Sequence, residues 1–211
     1  MSLIVIGGHS RGIGKTSVVA GLISALREFQ WTAAKITQYG HGICSANGEA
    51  CDCATRDHSW AISEERDRSG ETDTSRFLLA GASRVYWVRT EQGRLAEAMP
   101  TLRQRLEGAP NVIIESNSVL KFLRPDLYVT VLDLANSDFK NSAREFLDRA
   151  DAVILHAAAT EPAWQSVSLK PVANRPTFPI HPPTYVTNDL VAYVRTKLQA
   201  TQPSKSERAE S

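Results

Sequence analysis

The chain has little cysteine, little methionine and almost no net charge, and it has no long apolar run. Of its 211 residues three are Cys and two are Met. There are 24 Lys and Arg and 23 Asp and Glu, so the formal net charge is +1. This balance gives no bulk electrostatic reason to bind nucleic acid or an anionic membrane. No stretch approaches the roughly 20 apolar residues that cross a bilayer. Residues 1–10 lack the charged segment of a secretory signal, and we expect a cytoplasmic protein.

The three cysteines all lie within ten residues. Cys44, Cys51 and Cys53 are preceded by His41 and followed by His58 in the pattern H-x2-C-x6-C-x-C-x4-H. Thiolate and imidazole ligands suit tetrahedral zinc, whereas an iron–sulfur cluster usually needs four cysteines. The pattern therefore predicts a zinc site formed by Cys44, Cys51, Cys53 and His58. The alternative is a loop of small residues that binds no metal.

A glycine-rich segment stands between a predicted strand and a predicted helix. The apolar run 3–7 (LIVIG) is typical of a buried strand, and apolar residues recur at helical spacing after Lys15. Glycines let backbone amides turn toward phosphates, and the helix N-terminus adds a positive dipole end. Lys15 is expected to reach the β- and γ-phosphates and Thr16 to ligate Mg²⁺. The predicted nucleotide-binding residues are Gly8, His9, Ser10, Arg11, Gly12, Ile13, Gly14, Lys15, Thr16 and Ser17.

The spacing of this phosphate loop differs by one residue from the common G-x4-G-K-[ST]. His9 stands where the first glycine is expected, so the pattern from Gly8 is G-x5-G-K-T. In this the chain resembles dethiobiotin synthetase and related P-loop proteins, which use ATP to activate small molecules. Ser10 stands where partitioning-type ATPases carry a lysine, which argues against a partitioning-type dimeric switch. The resemblance implies ATP or GTP, with Mg²⁺, as the ligand.

Two further segments carry the resemblance. Lys35 stands at the place of the Lys-Pro motif of dethiobiotin synthetase, with Ile36 in place of the proline. The stretch 70–82 resembles one in the molybdopterin-guanine dinucleotide biosynthesis protein B family, which implies that Asp73 lies at a helix start near the metal. The alternatives are that Lys35 lies in solvent and that Asp73 or Thr72 only caps its helix.

An apolar strand that ends in an acid supplies the next candidate. Residues 111–115 read NVIIE, and an acid at the carboxyl end of such a strand faces the phosphate loop and orders Mg²⁺ or its waters. Glu115 is thus a predicted metal-site residue, unless it merely caps the next turn. Asp133, at the end of the following strand, is a further candidate. Asn174 to Pro176 are a candidate lining of the base pocket.

Short apolar strands alternate with amphipathic helices along the chain. This order predicts the α/β class, with a mainly parallel sheet covered by helices on both faces as in the P-loop NTPase fold. We expect one domain over residues 1–200, with a Cys/His-containing loop at 39–60 and a disordered tail at 201–211. Helices are predicted over 15–29, 72–81, 94–106 and 141–149, and a last one begins at Asn188, which caps it.

Three functions are compatible with these patterns. The first is Mg²⁺-dependent nucleotide hydrolysis or phosphoryl transfer, coupled to small-molecule or cofactor metabolism, in which Lys15 and Lys35 are catalytic. The second is a nucleotide-binding adaptor with little turnover that assists a partner enzyme of molybdenum cofactor biosynthesis, as the resemblance implies. The third is a metal sensor or metallochaperone that uses the Cys/His loop. A homodimer is possible, since many relatives dimerise.

The cysteine pattern yields a test of metal content. We predict that protein purified without added metal contains zinc, and that the variant Cys51→Ser/Cys53→Ser loses it, because thiolates are the preferred zinc ligands in this segment. Elemental analysis of the two proteins side by side measures this. Wild-type protein without zinc or iron would support the metal-free loop.

Overall fold

The computed structural model describes residues 1–39, 59–165 and 167–201. In these ranges eight strands form one sheet, in the order β3-β4-β2-β5-β1-β6-β7-β8. All neighbouring strands are parallel except β3 and β4, which are antiparallel. The strands are β1 (Ser2–Gly8), β2 (Trp31–Tyr39), β3 (Trp60–Glu64), β4 (Arg84–Glu91), β5 (Asn111–Glu115), β6 (Leu127–Leu132), β7 (Ala152–His156) and β8 (Thr177–Ile180).

Five α-helices follow the strands within the same ranges and cover the sheet. They are α1 (Lys15–Ala25), α2 (Asp73–Ala80), α3 (Leu95–Leu106), α4 (Asn141–Phe146) and α5 (Asn188–Thr201). Apolar side chains of α1, α2 and α5 form one core against the sheet, and those of α3 and α4 form a second core. The predicted α/β class with helices on both faces is therefore confirmed. None of the described helices has the length and apolar character of a membrane span.

The central strands of this mainly parallel sheet are buried on both faces. Every residue of β1, β5 and β6 is buried, as expected for strands that helices cover on both sides. Their odd- and even-numbered side chains enter different cores: Ile4 and Ile6 belong to the α1 side, and Leu3 and Val5 to the α3 side. This alternation decides which residues at the strand ends face α1 and α2.

The helices predicted over 15–29 and 141–149 are shorter in the structure, since each is followed by a separate 3₁₀ turn, and one strand was not predicted. The first helix ends at Ala25 and not at Phe29, and a short 3₁₀ turn covers Arg27–Phe29. The indole Nε1 of Trp31 donates at 2.8 Å to the carbonyl of Leu26, which also accepts the backbone N–H of Phe29 at 3.2 Å. Strand β3 was not predicted, because its five residues have no strong apolar period and pair with β4 at the sheet edge.

The predicted loop and tail also have different bounds. Tyr39 ends β2 and Trp60 begins β3, so neither belongs to a loop. Residues 40–58 of that loop, with Cys44, Cys51, Cys53 and His58, lie outside the described residues, and the zinc site stays a prediction. Thr201 ends α5, and the rest of the predicted tail likewise lies outside the description.

The carboxyl end of β1 is approached closely by two side chains. A Cβ added at Gly7 would lie 2.1 Å from Oδ1 of Asn117 and 2.8 Å from Cε2 of Tyr128. Asn117 in turn bonds the backbone of Gly8, donating from Nδ2 to the carbonyl at 2.8 Å and accepting the N–H on Oδ1 at 2.9 Å. Glycine at position 7 is therefore what lets Asn117 fix the start of the loop.

We predict that Gly7→Ala lowers the free energy of unfolding by about 1–3 kcal/mol, because the added methyl group overpacks this contact. Urea denaturation of the wild type, Gly7→Ala, Asn117→Ala and the double variant measures the effect. The double variant should lose less than the sum of the single losses, since removing the Asn117 side chain makes room for the methyl group. If the losses in the free energy of unfolding were strictly additive, position 7 and Asn117 would not be in contact.

Candidate functional site

The segment between β1 and α1 is a tight glycine-rich turn that leads directly into the N-terminus of α1. Gly12 and Gly14 adopt positive φ angles of 70° and 85°, which favour glycine. A Cβ on Gly14 would also lie 2.1 Å from the ring of Tyr185. The Lys15 ammonium folds back and donates to the carbonyl of Ser10. The Lys15 side chain therefore lies against the backbone of the loop at the N-terminus of α1.

His9 is a structural part of this loop. It is fully buried, and its ring packs against Phe139 and Trp164, with centroid distances of 5.1 and 4.9 Å. Nε2 accepts the backbone N–H of Asp133 at 3.0 Å, and Nδ1 lies 2.6 Å from the carbonyl of Asp138. These partners require a neutral ring with its proton on Nδ1. Burial also lowers the pKa of His9 below its usual value, against the carbonyl of Asp138 that raises it.

Further side chains bind the backbone and the Ser10 hydroxyl of the loop. His156, at the end of β7, lies with Nε2 2.9 Å from the carbonyl of Ile13, and Asn117 bonds Gly8 as described above. Ser10 donates to the carboxylate of Asp138 at 2.7 Å. The loop is therefore anchored to the segments that follow β5, β6 and β7. Sequence reasoning missed these anchors because they are distant in the chain and belong to no motif.

Four predicted side chains meet beside the loop. Lys35 on β2 and Glu115 on β5 are register partners of adjacent strands, and both point to the face that α1 and α2 cover. The Lys35 Nζ donates to Glu115 Oε1 at 2.9 Å, to Thr16 Oγ1 at 3.2 Å and to the carboxylate of Asp73. Thr16 donates to the other oxygen of Glu115 at 2.8 Å. We call Thr16, Lys35, Asp73 and Glu115 the Lys35 cluster.

Local structure explains how Asp73 reaches this cluster. Thr72 caps α2, accepting the N–H of Ser75, while the Ser75 hydroxyl accepts the N–H of Thr72. The capping therefore belongs to Thr72, and Asp73 in the first turn is free to point at Lys35. Arg76, one turn on, donates to the hydroxyl of Ser17 at 3.0 Å, which ties α2 to α1.

Of the lysines around the loop, Lys35 is paired with carboxylates, whereas Lys15 and Lys140 are not compensated to the same extent. Burial opposes the charge of Lys35, but the carboxylates of Glu115 and Asp73 outweigh it and raise the pKa of this lysine. Burial lowers the pKa of Lys15, although Glu115 partly opposes it. Lys140, which sequence reasoning missed, has its pKa lowered to about 8 by burial and by the nearby charges of Lys15 and Arg11. An excess of partly buried positive charge at a loop of backbone amides suits an anion.

Other predicted residues lie elsewhere. The carboxylate of Asp133 lies 3.9 Å from Nδ1 of His156 and outside the Lys35 cluster. Asn174 to Pro176 precede β8, and because the loop lies at the carboxyl ends of the parallel strands, this segment is at the opposite edge of the sheet. It does not line a base pocket beside the loop. Among the described residues no group of three or more His, Cys, Asp and Glu could hold a metal ion.

Comparisons with known proteins find likeness in the fold. No family model matches the chain, and no curated protein sequence matches it. LpxK from Aquifex aeolicus, solved in complex with ATP, is 18% identical with a TM-score of 0.47, and the match covers 85% of this chain and 53% of LpxK. This chain thus spans about half the length of LpxK.

Two further solved structures are similar along almost their whole length. HypB from Helicobacter pylori, in complex with nickel, is 14% identical with a TM-score of 0.47, and the match covers 96% of this chain and 89% of HypB. MobB from Bacillus subtilis is 15% identical with a TM-score of 0.41, covering 92% and 96% respectively. The identities and TM-scores are low, and the site description rests on this chain's own residues: a glycine-rich loop joins β1 to the N-terminus of α1 in a mainly parallel sheet.

The environment of His9 predicts a pH dependence of stability. In the unfolded chain His9 takes up a proton near pH 6.5. In the folded chain it does so only at a lower pH, because its pKa is lowered. The free energy of unfolding should therefore be unaffected by His9 above pH 6.5. It should fall as the pH drops from there toward the lowered pKa, with a slope of at most about 1.4 kcal/mol per pH unit.

Urea denaturation between pH 7.5 and pH 5 measures this slope. His9→Gln, which cannot take up the proton, should show a flatter dependence than the wild type. His181→Gln, at an exposed position, is the matched control and should keep the wild-type slope. Equal slopes for the wild type and His9→Gln would show that His9 is not the responsible group.

Proposed function

We propose that this chain binds a nucleoside triphosphate with Mg²⁺ at the loop before α1. It then hydrolyses the nucleotide or transfers its γ-phosphoryl group, coupled to the metabolism of a small molecule or cofactor. The observation that carries the proposal is the meeting of Thr16, Asp73 and Glu115 around one cationic group beside Lys15. Three segments distant in sequence converge there, as a metal–phosphate site requires.

The donor set of the Lys35 cluster fits a hard divalent cation. It offers two carboxylates and one hydroxyl, and Mg²⁺ prefers oxygen ligands and keeps several waters when one or two carboxylates hold it. Thr16, Asp73 and Glu115 would hold this ion or its waters. When bound, Mg²⁺ would neutralise charge on the β- and γ-phosphates.

Lysine side chains of this chain would bind the phosphates and stabilise the charge that develops during transfer. Lys15 would exchange the carbonyl of Ser10 for phosphate oxygens, and the loop amides would bind the same anion. Lys140 lies near enough to Lys15 and Arg11 for their charges to lower its pKa, so a phosphate anion between these groups would relieve their repulsion. Lys35 would stabilise charge that develops during transfer. Catalysis would then come from positioning and electrostatics.

A second candidate is a nucleotide-binding adaptor with little turnover. The capped helix that brings Asp73 into the cluster is formed by the stretch 70–82, whose pattern resembles the molybdopterin-guanine dinucleotide biosynthesis protein B family. Under this alternative the chain assists a partner enzyme of molybdenum cofactor biosynthesis. Phosphate release that stays very slow while the protein co-purifies with a stable partner would favour the adaptor, and turnover that a small molecule stimulates would favour the enzyme.

The proposal predicts that nucleotide affinity depends on Lys15. Titration calorimetry with non-hydrolysable ATP and GTP analogues and Mg²⁺ should show that Lys15→Ala weakens binding at least about tenfold, or about 1.4 kcal/mol. The reason is the loss of a partly buried ammonium that would bind the phosphates. Lys121→Ala removes an exposed lysine that pairs with Glu145 and should bind as the wild type does. Equal affinity of Lys15→Ala and wild type would refute the assignment.

A further inference from the structure

The Lys35 ammonium lies at the centre of the groups that the proposed function assigns to a divalent cation. It donates to both carboxylates and to the hydroxyl of Thr16. The side chain of Lys35 is 17% exposed and that of Glu115 is 6% exposed, so the pair is largely removed from water. An oxygen set of two carboxylates and one hydroxyl is thus already satisfied by a cation that belongs to the chain.

A free divalent ion has to displace this ammonium before it can bind Glu115 and Asp73. Displacement breaks three hydrogen bonds, two of them to ionised carboxylates, which are the stronger kind. It also leaves a lysine charge beside a divalent charge in a partly buried space, where repulsion is greater than in water. Lys15 lies close enough that the two lysine charges already repel each other. The cluster therefore resists a metal ion that arrives alone.

A nucleotide changes this balance because it brings negative charge for both cations. The triphosphate supplies oxygen ligands to the metal, and it also offers the Lys35 ammonium a new set of acceptors at the loop. Lys35 is anchored on β2, and its ammonium already contacts the Thr16 hydroxyl in the first residues of α1. The ammonium needs only to turn from the carboxylates toward the loop.

We infer that Lys35 acts as a built-in cation that excludes free divalent metal from the site and yields to metal only when a nucleotide is bound. The inference deepens the proposed function and rests on it, since the same loop must accept the phosphates. It assigns an order to the ligands: the chain takes up metal together with the nucleotide, and not before it. Lys35 is in this respect a residue that sets metal access, in addition to any role in transfer.

The test uses Mn²⁺ alone as a probe, without nucleotide, on the full chain. Electron paramagnetic resonance measures the free Mn²⁺, and titration calorimetry measures its binding. The wild type should show no binding that depends on Glu115. Lys35→Met should gain Mn²⁺ affinity of at least about tenfold, and Lys35→Met/Glu115→Gln should lose that gain. Lys35→Arg keeps the charge and should behave as the wild type, and Lys121→Met is the matched control.

Two outcomes would overturn the inference. One is a wild type that binds Mn²⁺ alone, with Glu115→Gln abolishing the binding. The other is a folded Lys35→Met that still binds no Mn²⁺, since lysine would then not be the barrier. The wild-type titration with and without Glu115→Gln decides the first point even if the lysine variant does not fold. Nucleotide affinity and its dependence on Lys15 report separately on the proposed function, so the two failures are distinguishable.

Discussion

The contact between Lys35 and Glu115 is the interaction on which the site depends. The two residues are register partners on neighbouring parallel strands, so the sheet itself sets their separation. Each charge is largely buried, and each would be costly without the other. From this pair the site extends outward through Thr16 to α1 and the phosphate loop, and through Asp73 to α2. This ion pair in the sheet thereby connects the N-termini of α1 and α2, which the bond from Arg76 to Ser17 also joins.

The loop itself is held by a second and mostly neutral set of contacts. His9, Asn117 and His156 bond backbone groups of the loop and its surroundings, and Asn117 and the neutral His9 ring bring no net charge to the loop. Positive charge comes instead from Lys15 and Lys140, whose pKa values burial lowers. The site therefore separates the side chains that shape the loop from those that would meet the phosphates. His9, which stands where the motif has glycine, belongs to the first group.

The departure of the loop from the common spacing has a structural explanation. A glycine at position 9 would remove the ring that packs against Phe139 and Trp164 and accepts the N–H of Asp133. These partners lie in the segments that follow β6 and β7, so the histidine ties the loop to that side of the sheet. The chain thus gains an anchor by using a larger residue where other loops have freedom of backbone angle. The pH sensitivity of stability is a consequence of this choice.

The sequence by itself determined the elements and the motif-bearing residues of the site. Apolar runs and helical periods are local properties, so β1, the phosphate loop, α2 with its cap and the acid at the end of β5 could be predicted. The edge strand β3 and the end of α1 could not, because β3 depends on its pairing with β4 and no apolar period marks the change from α1 to the 3₁₀ turn after it. Only the tertiary structure placed the Lys35 ammonium among Thr16, Asp73 and Glu115 and brought Asn117, Lys140 and His156 to the loop. Such contacts join residues far apart in the chain, and strand register and helix packing, which no local pattern encodes, bring them together.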